Sequence, residues 1–335
     1  MRLRPSVLGL GLLLLLSLSI VAGVALGSVL LAPAEVLQAL LGRGDPIAER
    51  IVWQLRLPRV LLASVTGGGL AIVGVAMQAL VRNPLAEPYI LGLSSGASAG
   101  ASLFYLGLLP PLLSRMLSMP LAAFLGALLT LTLVYLVARQ NGILSIPRLL
   151  LGGVAISALM ASVTSFVTFA SPDPDKLRAV LFWLLGSFSG ARWSILPFPV
   201  LAAMLGLLAL ILLARPLDLL LLGEESAAQL GLSVEWTKRL LIVLAALVTG
   251  TLVAFSGIIG FVGLIVPHAV RALVGVPHRR VVPLSFLLGA LFLLWADLVA
   301  RLLLSGTELP VGVVTALCGV PFFLVLLRRS PYRFG

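Results

Sequence analysis

The sequence has few charged residues and long apolar runs. Of its 335 residues only 10% are charged while 60% are hydrophobic, and the mean hydropathy is +1.18. A soluble domain carries about a quarter charged residues, so this composition excludes a soluble fold. The apolar runs are long and do not alternate, which favours membrane-spanning helices over a transmembrane barrel.

Cysteine, histidine and lysine are nearly absent. The single cysteine, Cys318, excludes a disulfide framework and a cysteine-based metal site. The two histidines, His268 and His278, do not form a ligand-like cluster, so we expect no metal site. Neither lysine, Lys176 or Lys238, follows a glycine, so the chain lacks the phosphate-cradling loop that an ATPase needs. We therefore expect a chain that binds no cofactor and is not an enzyme by itself.

Acidic residues are also missing from the middle of the apolar runs. Glu87, Asp297 and Glu308 fall near the ends of predicted spans, and Arg301 follows Asp297 by one helical turn, as in an ion pair. A proton- or sodium-coupled carrier usually keeps an ionisable residue near the bilayer centre. An ion-coupled secondary carrier is therefore only a distant alternative.

The apolar pattern predicts ten helical spans in a single transmembrane domain that covers residues 1–335. The first resembles a signal peptide, but it runs to about Leu31, so we expect a retained span and keep cleavage as the alternative. The eighth is interrupted by Gly260, Gly263 and Pro267, as in broken helices that line a cavity. The predicted spans are 7–31, 60–81, 90–108, 116–138, 148–170, 193–214, 238–256, 258–275, 283–304 and 311–328.

The distribution of basic residues predicts the orientation. Ten spans place both termini on one side, and with the termini in the cytoplasm 14 Lys and Arg residues lie inside and 9 outside. This bias modestly favours cytoplasmic termini. Residues 66–92 aligned with 249–275 also share seven of 27 positions, which raises the alternative of an inverted repeat between oppositely oriented spans.

One polar segment, LGEESAAQLGL at residues 222–232, is predicted to be a helix on the cytoplasmic side. Helical spacing places Glu224, Ala227, Ala228 and Gly231 on one side, where small residues allow an opposing groove to approach. Glu224 and Glu225 would lie in the first turn, where carboxylates are favoured by the helix dipole. We expect a partner protein to dock here, and the alternative is a helix that lies on lipid.

Several long motifs resemble the permease subunits of ABC importers for iron chelates and vitamin B12, the FecCD-like family. The similarity extends from about residue 50 to 328. The motifs are LRLPRVL, GVAMQALVRNPLAEPYILGLSSGASAGA, LGEESAAQLGL, GTLVAFSGIIGFVGLIVPHAVRALVG and ADLVARLLLSGTELPVGVVTALCGVPFF.

The resemblance implies a type II importer permease with ten spans per subunit, which pairs with a second copy in a bacterial inner membrane. It implies two cytoplasmic ATPase subunits that use ATP and Mg, and a periplasmic substrate-binding protein. The basic residues flank the predicted spans, which indicates membrane lipid and not nucleic acid as their partner. The matching motifs assign a coupling helix at about 216–232, docking arginines for the binding protein and a cytoplasmic gate. The implied residues are Gly223, Glu224, Glu225, Ala227, Ala228, Leu230 and Gly231 for coupling, Arg56, Arg59 and Arg301 for docking, and Asn83 and Leu85 for the gate.

The expected substrate is haem, with ferric siderophores and cobalamin as alternatives. The segment DPDKLRAVLFWLLGSFSGARW at 173–193 is similar to haem permeases. Arg178 in this segment could form charge-assisted hydrogen bonds with haem propionates, or it could only anchor a helix at the membrane interface. Ser94 and Ser95, in a stretch of small residues, are assigned with Arg178 to the substrate path.

Overall fold

A computed structural model describes residues 4–27, 31–171, 173–304 and 307–329, apart from the side chains of Pro33 and Arg329. Predicted positions 28–30 of the first span therefore lie outside the described residues. The described chain is helical apart from one short hairpin and its connecting segments. The elements are α1 (Pro5–Ala25), α2 (Pro33–Leu40), α3 (Pro46–Arg50), a π-helical segment (Ile51–Arg56), α4 (Leu57–Val81), a 3-10 turn (Pro88–Leu91), α5 (Leu93–Tyr105), α6 (Pro111–Met116), α7 (Met119–Ala138), β1 (Arg139–Gln140), β2 (Ile143–Leu144), α8 (Ile146–Phe169), α9 (Pro174–Leu184), α10 (Pro197–Leu212), α11 (Ala214–Leu220), α12 (Glu224–Gln229), α13 (Val234–Ser256), α14 (Val262–Val274), α15 (His278–Leu302) and α16 (Val311–Arg329).

A helix occupies each of the ten predicted spans, which confirms a polytopic all-α membrane protein. In the described chain, seven helices are long and apolar enough to cross a membrane, and α10 with α11, a pair bent by 63°, makes an eighth if the two are counted as one span. The other two, α5 and α14, have 13 residues each and are too short to cross alone. Both follow a non-helical segment, so part of each predicted span is irregular backbone within the bundle.

One predicted boundary is wrong in detail, whereas the predicted break in the eighth span is present. The sixth span was predicted to start at residue 193, but α10 starts only at Pro197, and the segment at 173–193 contains a separate helix, α9. The predicted break near residue 260 is present, because Gly257 and Phe261 both have positive φ and the helix cannot continue through them. His268 lies inside α14 and packs edge-on against Phe322.

The helix α4 forms the centre of the bundle and is buried along nearly its whole length. Its glycines allow this, because a Cβ on Gly67 would lie 2.1 Å from the carbonyl oxygen of Gly289 in α15. A Cβ on Gly96 in α5 would similarly lie 2.3 Å from the Gly126 oxygen in α7. The small-residue stretches around these positions therefore pack helices together.

The same contacts fix the direction of neighbouring helices. Leu252 of α13 contacts Gly69, whereas Val248 packs near Gly206 beside Ile72, so α13 runs antiparallel to α4. The start of α4 therefore lies at the same end of the bundle as the end of α13. The 22 residue-to-residue steps from Arg59 to Val81 in α4 span about 33 Å at 1.5 Å each, so the two ends of the bundle are well separated.

The register proposed for the repeat pairs helix with helix over residues 66–73 of α4 and 249–256 of α13, but it fails in the stretch that follows. It aligns residues 74–81, which are helical in α4, with residues 257–264, where 257–261 are not helical. The Gly74 and Gly263 backbones do meet, but as a close contact between α4 and α14. The glycines shared by these segments therefore serve close packing, and an inverted repeat stays a prediction.

Candidate functional site

At one end of the bundle, five charged residues form the arginine cluster: Arg56, Arg59, Asp297, Arg301 and Glu308. Asp297 is 1% exposed and receives hydrogen bonds from Nε (3.1 Å) and Nη2 (2.9 Å) of Arg59. Nε of Arg301 lies 3.1 Å from the other Asp297 oxygen. The ion pair between Asp297 and Arg301 was predicted from their spacing and is present, but Arg59 shares the same carboxylate.

Two of these arginines also cap the C-terminal end of α1. Nη1 of Arg56 donates to the carbonyls of Val24 and Ala25 at 2.8 Å, and Nη2 of Arg301 donates to Gly23 at 3.3 Å. Cations are favoured at a helix C-terminus because the last carbonyls lack partners within the helix. The π-helical turn at Ile51–Arg56 ends at Arg56, which is only 6% exposed.

The three arginines assigned to docking are therefore largely occupied within the chain. Their side chains are buried or nearly so, with Arg59 at 12% and Arg301 at 6% exposure. Glu308 is the accessible member of the cluster, at 42%, and both of its oxygens accept from Nη1 of Arg59 at 2.9 Å. The ion pair between Arg59 and Glu308 is thus the part of this cluster that is exposed to solvent.

A cavity of about 820 Å³ lies at the same end of the bundle. Aromatic side chains from α5, α9 and α13 form much of its wall, and Asp175, Arg178 and Arg192 contribute charge. Ser94 and Ser95 do not line it, because they lie at the other end of α5, about 15 Å from Phe104 along the helix. The structure therefore separates Arg178 from the two serines assigned to the same path. The aromatic residues of the wall are Phe104, Tyr105, Phe182, Trp183 and Phe255.

The segment between α4 and α5 contains the residues assigned to the gate. Asn83 is exposed, and its Oδ1 accepts a hydrogen bond from the Leu85 N–H at 2.9 Å. The Asn83 N–H in turn donates to the Gln78 carbonyl, which closes the end of α4. Leu85 is half-buried. Asn83 thus caps the turn whatever further role the segment has.

The predicted coupling helix at 216–232 consists of two helices rather than one. Gly223 has a φ of +101°, which ends the turn after α11 and starts the six-residue α12. Glu224 and Glu225 do lie in the first turn of α12. The predicted outward face holds only in part, because Ala227 is fully buried and the half-buried Glu224 binds Lys238. The exposed positions are Glu225, Ser226, Ala228, Gln229, Leu230 and Gly231.

Sequence reasoning missed the partner of Glu224. Its carboxylate accepts a hydrogen bond from Nζ of Lys238 at 2.9 Å, and Lys238 is 1% exposed. We call Lys238, Glu224 and Glu235 the lysine cluster. The sequence does place Lys238 at the start of an apolar span. A cation at such a position needs a nearby partner, so this placement could have indicated an ion pair.

The comparisons with known proteins agree with a membrane permease. Residues 13–329 match the model of the FecCD transport family, and the chain belongs to that family. It is 45% identical to the cobalamin import system permease of Halobacterium salinarum, with 85% of this chain and 75% of that protein covered. It is 43% identical to the hemin transport system permease of Yersinia pestis (85% of each covered). It is 42% identical to the achromobactin transport system permease of Dickeya dadantii (96% and 90% covered).

A solved structure described as an inward-facing conformation of a putative metal-chelate type ABC transporter matches with a TM-score of 0.85. It is 34% identical, and the match covers 98% of this chain and all of that one. The chain is thus the permease subunit of an ABC importer. It is a transport component rather than an enzyme, and the ATPase is a separate chain.

Proposed function

We propose that this chain imports haem, as one half of a permease formed with a second copy of itself. A periplasmic binding protein delivers the substrate, and two cytoplasmic subunits hydrolyse ATP with Mg²⁺. The chain forms one transmembrane domain of a bacterial inner membrane, with both termini in the cytoplasm. This orientation follows from the excess of Lys and Arg on that side. It places α12 in the cytoplasm and the cavity toward the periplasm.

The cavity is the observation that supports haem. Haem is a flat aromatic macrocycle with two carboxylates at one edge. Aromatic side chains such as Trp183 and Phe255 offer faces and edges to the ring, and the Arg178 and Arg192 guanidiniums bind carboxylates through charge-assisted hydrogen bonds. The cavity of about 820 Å³ also falls in the size range of small-molecule sites.

The same architecture supports cobalamin or a ferric siderophore as alternative substrates. The relatives named for cobalamin, hemin and achromobactin are 45%, 43% and 42% identical, so identity does not separate them. Cobalamin carries mostly amides at its edge, and an arginine pair gives it less advantage than it gives a dicarboxylate. The arginines of the cavity therefore favour haem.

The binding protein docks at one end of the bundle, and the ATPase acts on the other. A carboxylate of the binding protein exchanges with Glu308 on Arg59, while Arg56 and Arg301 hold the end of α1 in place. The exposed residues of α12, among them Glu225, Ala228, Leu230 and Gly231, face the ATPase. Asn83 and Leu85 form the inner gate, because their turn lies at the α12 end of α4.

The test is uptake by vesicles that contain the permease with its ATPase and binding protein. Changing Arg178 and Arg192 together to glutamine should reduce ATP-driven haem uptake about 10-fold or more, given about 1.5 kcal/mol or more for a charged hydrogen bond. Arg115→Gln is the matched control, since Arg115 is exposed on α6 and does not line the cavity. Wild-type vesicles that carry cobalamin or a ferric siderophore but not haem would refute the proposal, as would unchanged haem uptake by the double variant.

A further inference from the structure

Lys238 is a buried cation with three oxygen partners. Its Nζ donates to the Leu144 carbonyl at 2.8 Å and to Glu224 at 2.9 Å, and it lies 2.5 Å from Glu235. An ammonium group has three N–H donors, so this set uses its full capacity. The lysine is 1% exposed, and water therefore cannot replace any of the three partners without a rearrangement.

The three partners belong to three separate elements. Leu144 is in β2, Glu224 begins α12, and Glu235 lies one turn before Lys238 in α13. Glu235 also accepts a hydrogen bond from the Leu144 N–H at 2.9 Å, so α13 binds both backbone groups of Leu144. Nη2 of Arg239 donates to the Gly142 carbonyl at 2.8 Å. The β1–β2 hairpin is thereby held against the start of α13.

The hairpin is a stiff connection to α8. Asn141 and Gly142 both have positive φ, which gives the tight turn that suits a two-residue hairpin. Leu144 precedes the first residue of α8, Ile146, by only two positions. Little of α8 is buried within the single chain, although it is long enough to span the membrane. Because only residue 145 separates the hairpin from α8, a movement of the hairpin must move the start of α8.

We propose that Lys238 is the positioning residue that makes α12, the hairpin and the start of α13 move together. Through it, displacement of α12 by the ATPase reaches α8. This inference rests on the proposed function, because it requires the ATPase to act on α12. Ala227 gives α12 an apolar attachment, and Glu224 on Lys238 gives it a specific one.

The role differs from simple stabilisation. Glu224 and Glu235 are 39% and 33% exposed, so both carboxylates can be hydrated if the lysine is replaced. Removing one partner of a buried ion pair is costly when the remaining charge stays buried, and here the remaining carboxylates can reach water. Lys238→Met should therefore fold and bind the ATPase, yet lose the link between α12 and the hairpin.

The experiment measures coupling in the intact complex of permease, ATPase and binding protein. Lys238→Met should keep basal ATPase activity. The stimulation of ATPase activity by loaded binding protein should fall at least about 5-fold, which is the low end of the coupling usually found between two sites. Lys176→Met is the matched control, since Lys176 is the other lysine of the chain and is exposed on α9. Glu224→Gln should lower stimulation less, because it removes the charge of one partner but keeps an oxygen that accepts from Lys238.

A distance measurement gives a readout that a structural role would not move. Spin labels at Asn141→Cys in the hairpin and Gln229→Cys in α12, in a Cys318→Ser background, report the separation of the two elements. In the labelled permease that keeps Lys238, this separation should be the same with and without ATP. In the labelled Lys238→Met variant, it should change when ATP is added. An unchanged separation with full stimulation would overturn the proposal, and so would loss of ATPase binding, which would indicate a docking role. A wild-type chain that captures no ATPase would instead refute the proposed function.

Discussion

The arginine cluster and the lysine cluster bury cations at opposite ends of one bundle, yet they connect different kinds of element. The arginines join α1, α4 and α15, which already pack closely along their lengths. Lys238 joins a six-residue helix, a four-residue hairpin ladder and the start of α13. The first cluster therefore reinforces an existing contact, whereas the second creates one.

The chemistry of the two cations suits this division. Guanidinium presents a planar fork of donors, so Arg59 can bind Asp297 and Glu308 in a fixed geometry. Ammonium is a compact charge whose three donors rotate, so Lys238 can keep its partners while they shift slightly. We infer that loss of a charge should damage stability at the arginine cluster and coupling at the lysine cluster.

Asp297→Ala should give the largest effect on stability. Asp297 is 1% exposed and shared by Arg59 and Arg301, so its removal leaves two cations without their common carboxylate. Breaking a buried ion pair on one side costs about 3–5 kcal/mol. Thermal unfolding of the purified permease in detergent should show this loss as a much lower midpoint.

Lys238→Met is the matched comparison for Asp297→Ala, since each removes the central charge of its cluster. A loss of stability in Lys238→Met as large as in Asp297→Ala would break the distinction between the clusters. Coupling unaffected by Lys238→Met would do the same from the other side.

Glu87 is a third buried charge, and it tests whether such groups need a cation. Its Oε1 is buried without a hydrogen-bond partner among the described residues. Burial raises the pKa of Glu87, in the segment between α4 and α5, to about 7, and the Phe261 N–H that donates to it offsets only part of this. The carboxyl group is therefore a candidate for titration near neutral pH.

A raised pKa in the folded state means that folding favours the protonated carboxyl. Its contribution is fully present below about pH 4.5 and is lost as the pH rises through about 7. The free energy of unfolding of the wild type should thus fall by about 3 kcal/mol or less between pH 5 and 8 because of this group. Thermal unfolding of Glu87→Gln should lack that part of the pH dependence. Identical pH profiles for the two proteins would show that Glu87 finds a partner in the intact assembly.

The sequence could predict most of the helices, because hydropathy over some 20 residues is a local property. The helices in the third and eighth predicted spans, α5 and α14, are shorter than predicted, because the backbone breaks before them depend on tertiary contacts. Phe261 illustrates this: it holds a left-handed φ and packs against Gly319, 58 positions along the chain. Local propensity contains no information about such a distant contact.

Site residues were predictable where their partners are one turn apart. The spacing of Asp297 and Arg301 gave their ion pair, whereas Arg59 reaches Asp297 from 238 positions away. The orientation of Glu224 was missed because a continuous helix was assumed, while Gly223 with its positive φ sets α12 at a new angle. The arrangement of Lys238 depends on the same break.

The smallest expected effect concerns Glu308 and decides whether the arginine cluster is purely structural. The pair with Arg59 is partly exposed, and such pairs contribute about 1 kcal/mol or less to stability. Glu308→Gln should therefore leave unfolding nearly unchanged. If a carboxylate of the binding protein replaces Glu308 on Arg59, the variant should bind that protein a few-fold more tightly, chiefly through faster association at low salt.

Surface-immobilised permease with soluble binding protein would measure this association rate over a range of salt concentrations. Arg59→Gln in the Glu308→Gln background supplies the control, since it should remove the gain. Equal rates in the wild type and Glu308→Gln would mean that Arg59 serves only Asp297 and its own chain. The docking surface would then have to be sought among the other exposed arginines of this end, such as Arg50. Both ends of the bundle would in that case use their buried cations for internal contacts, and only the lysine cluster would carry a signal.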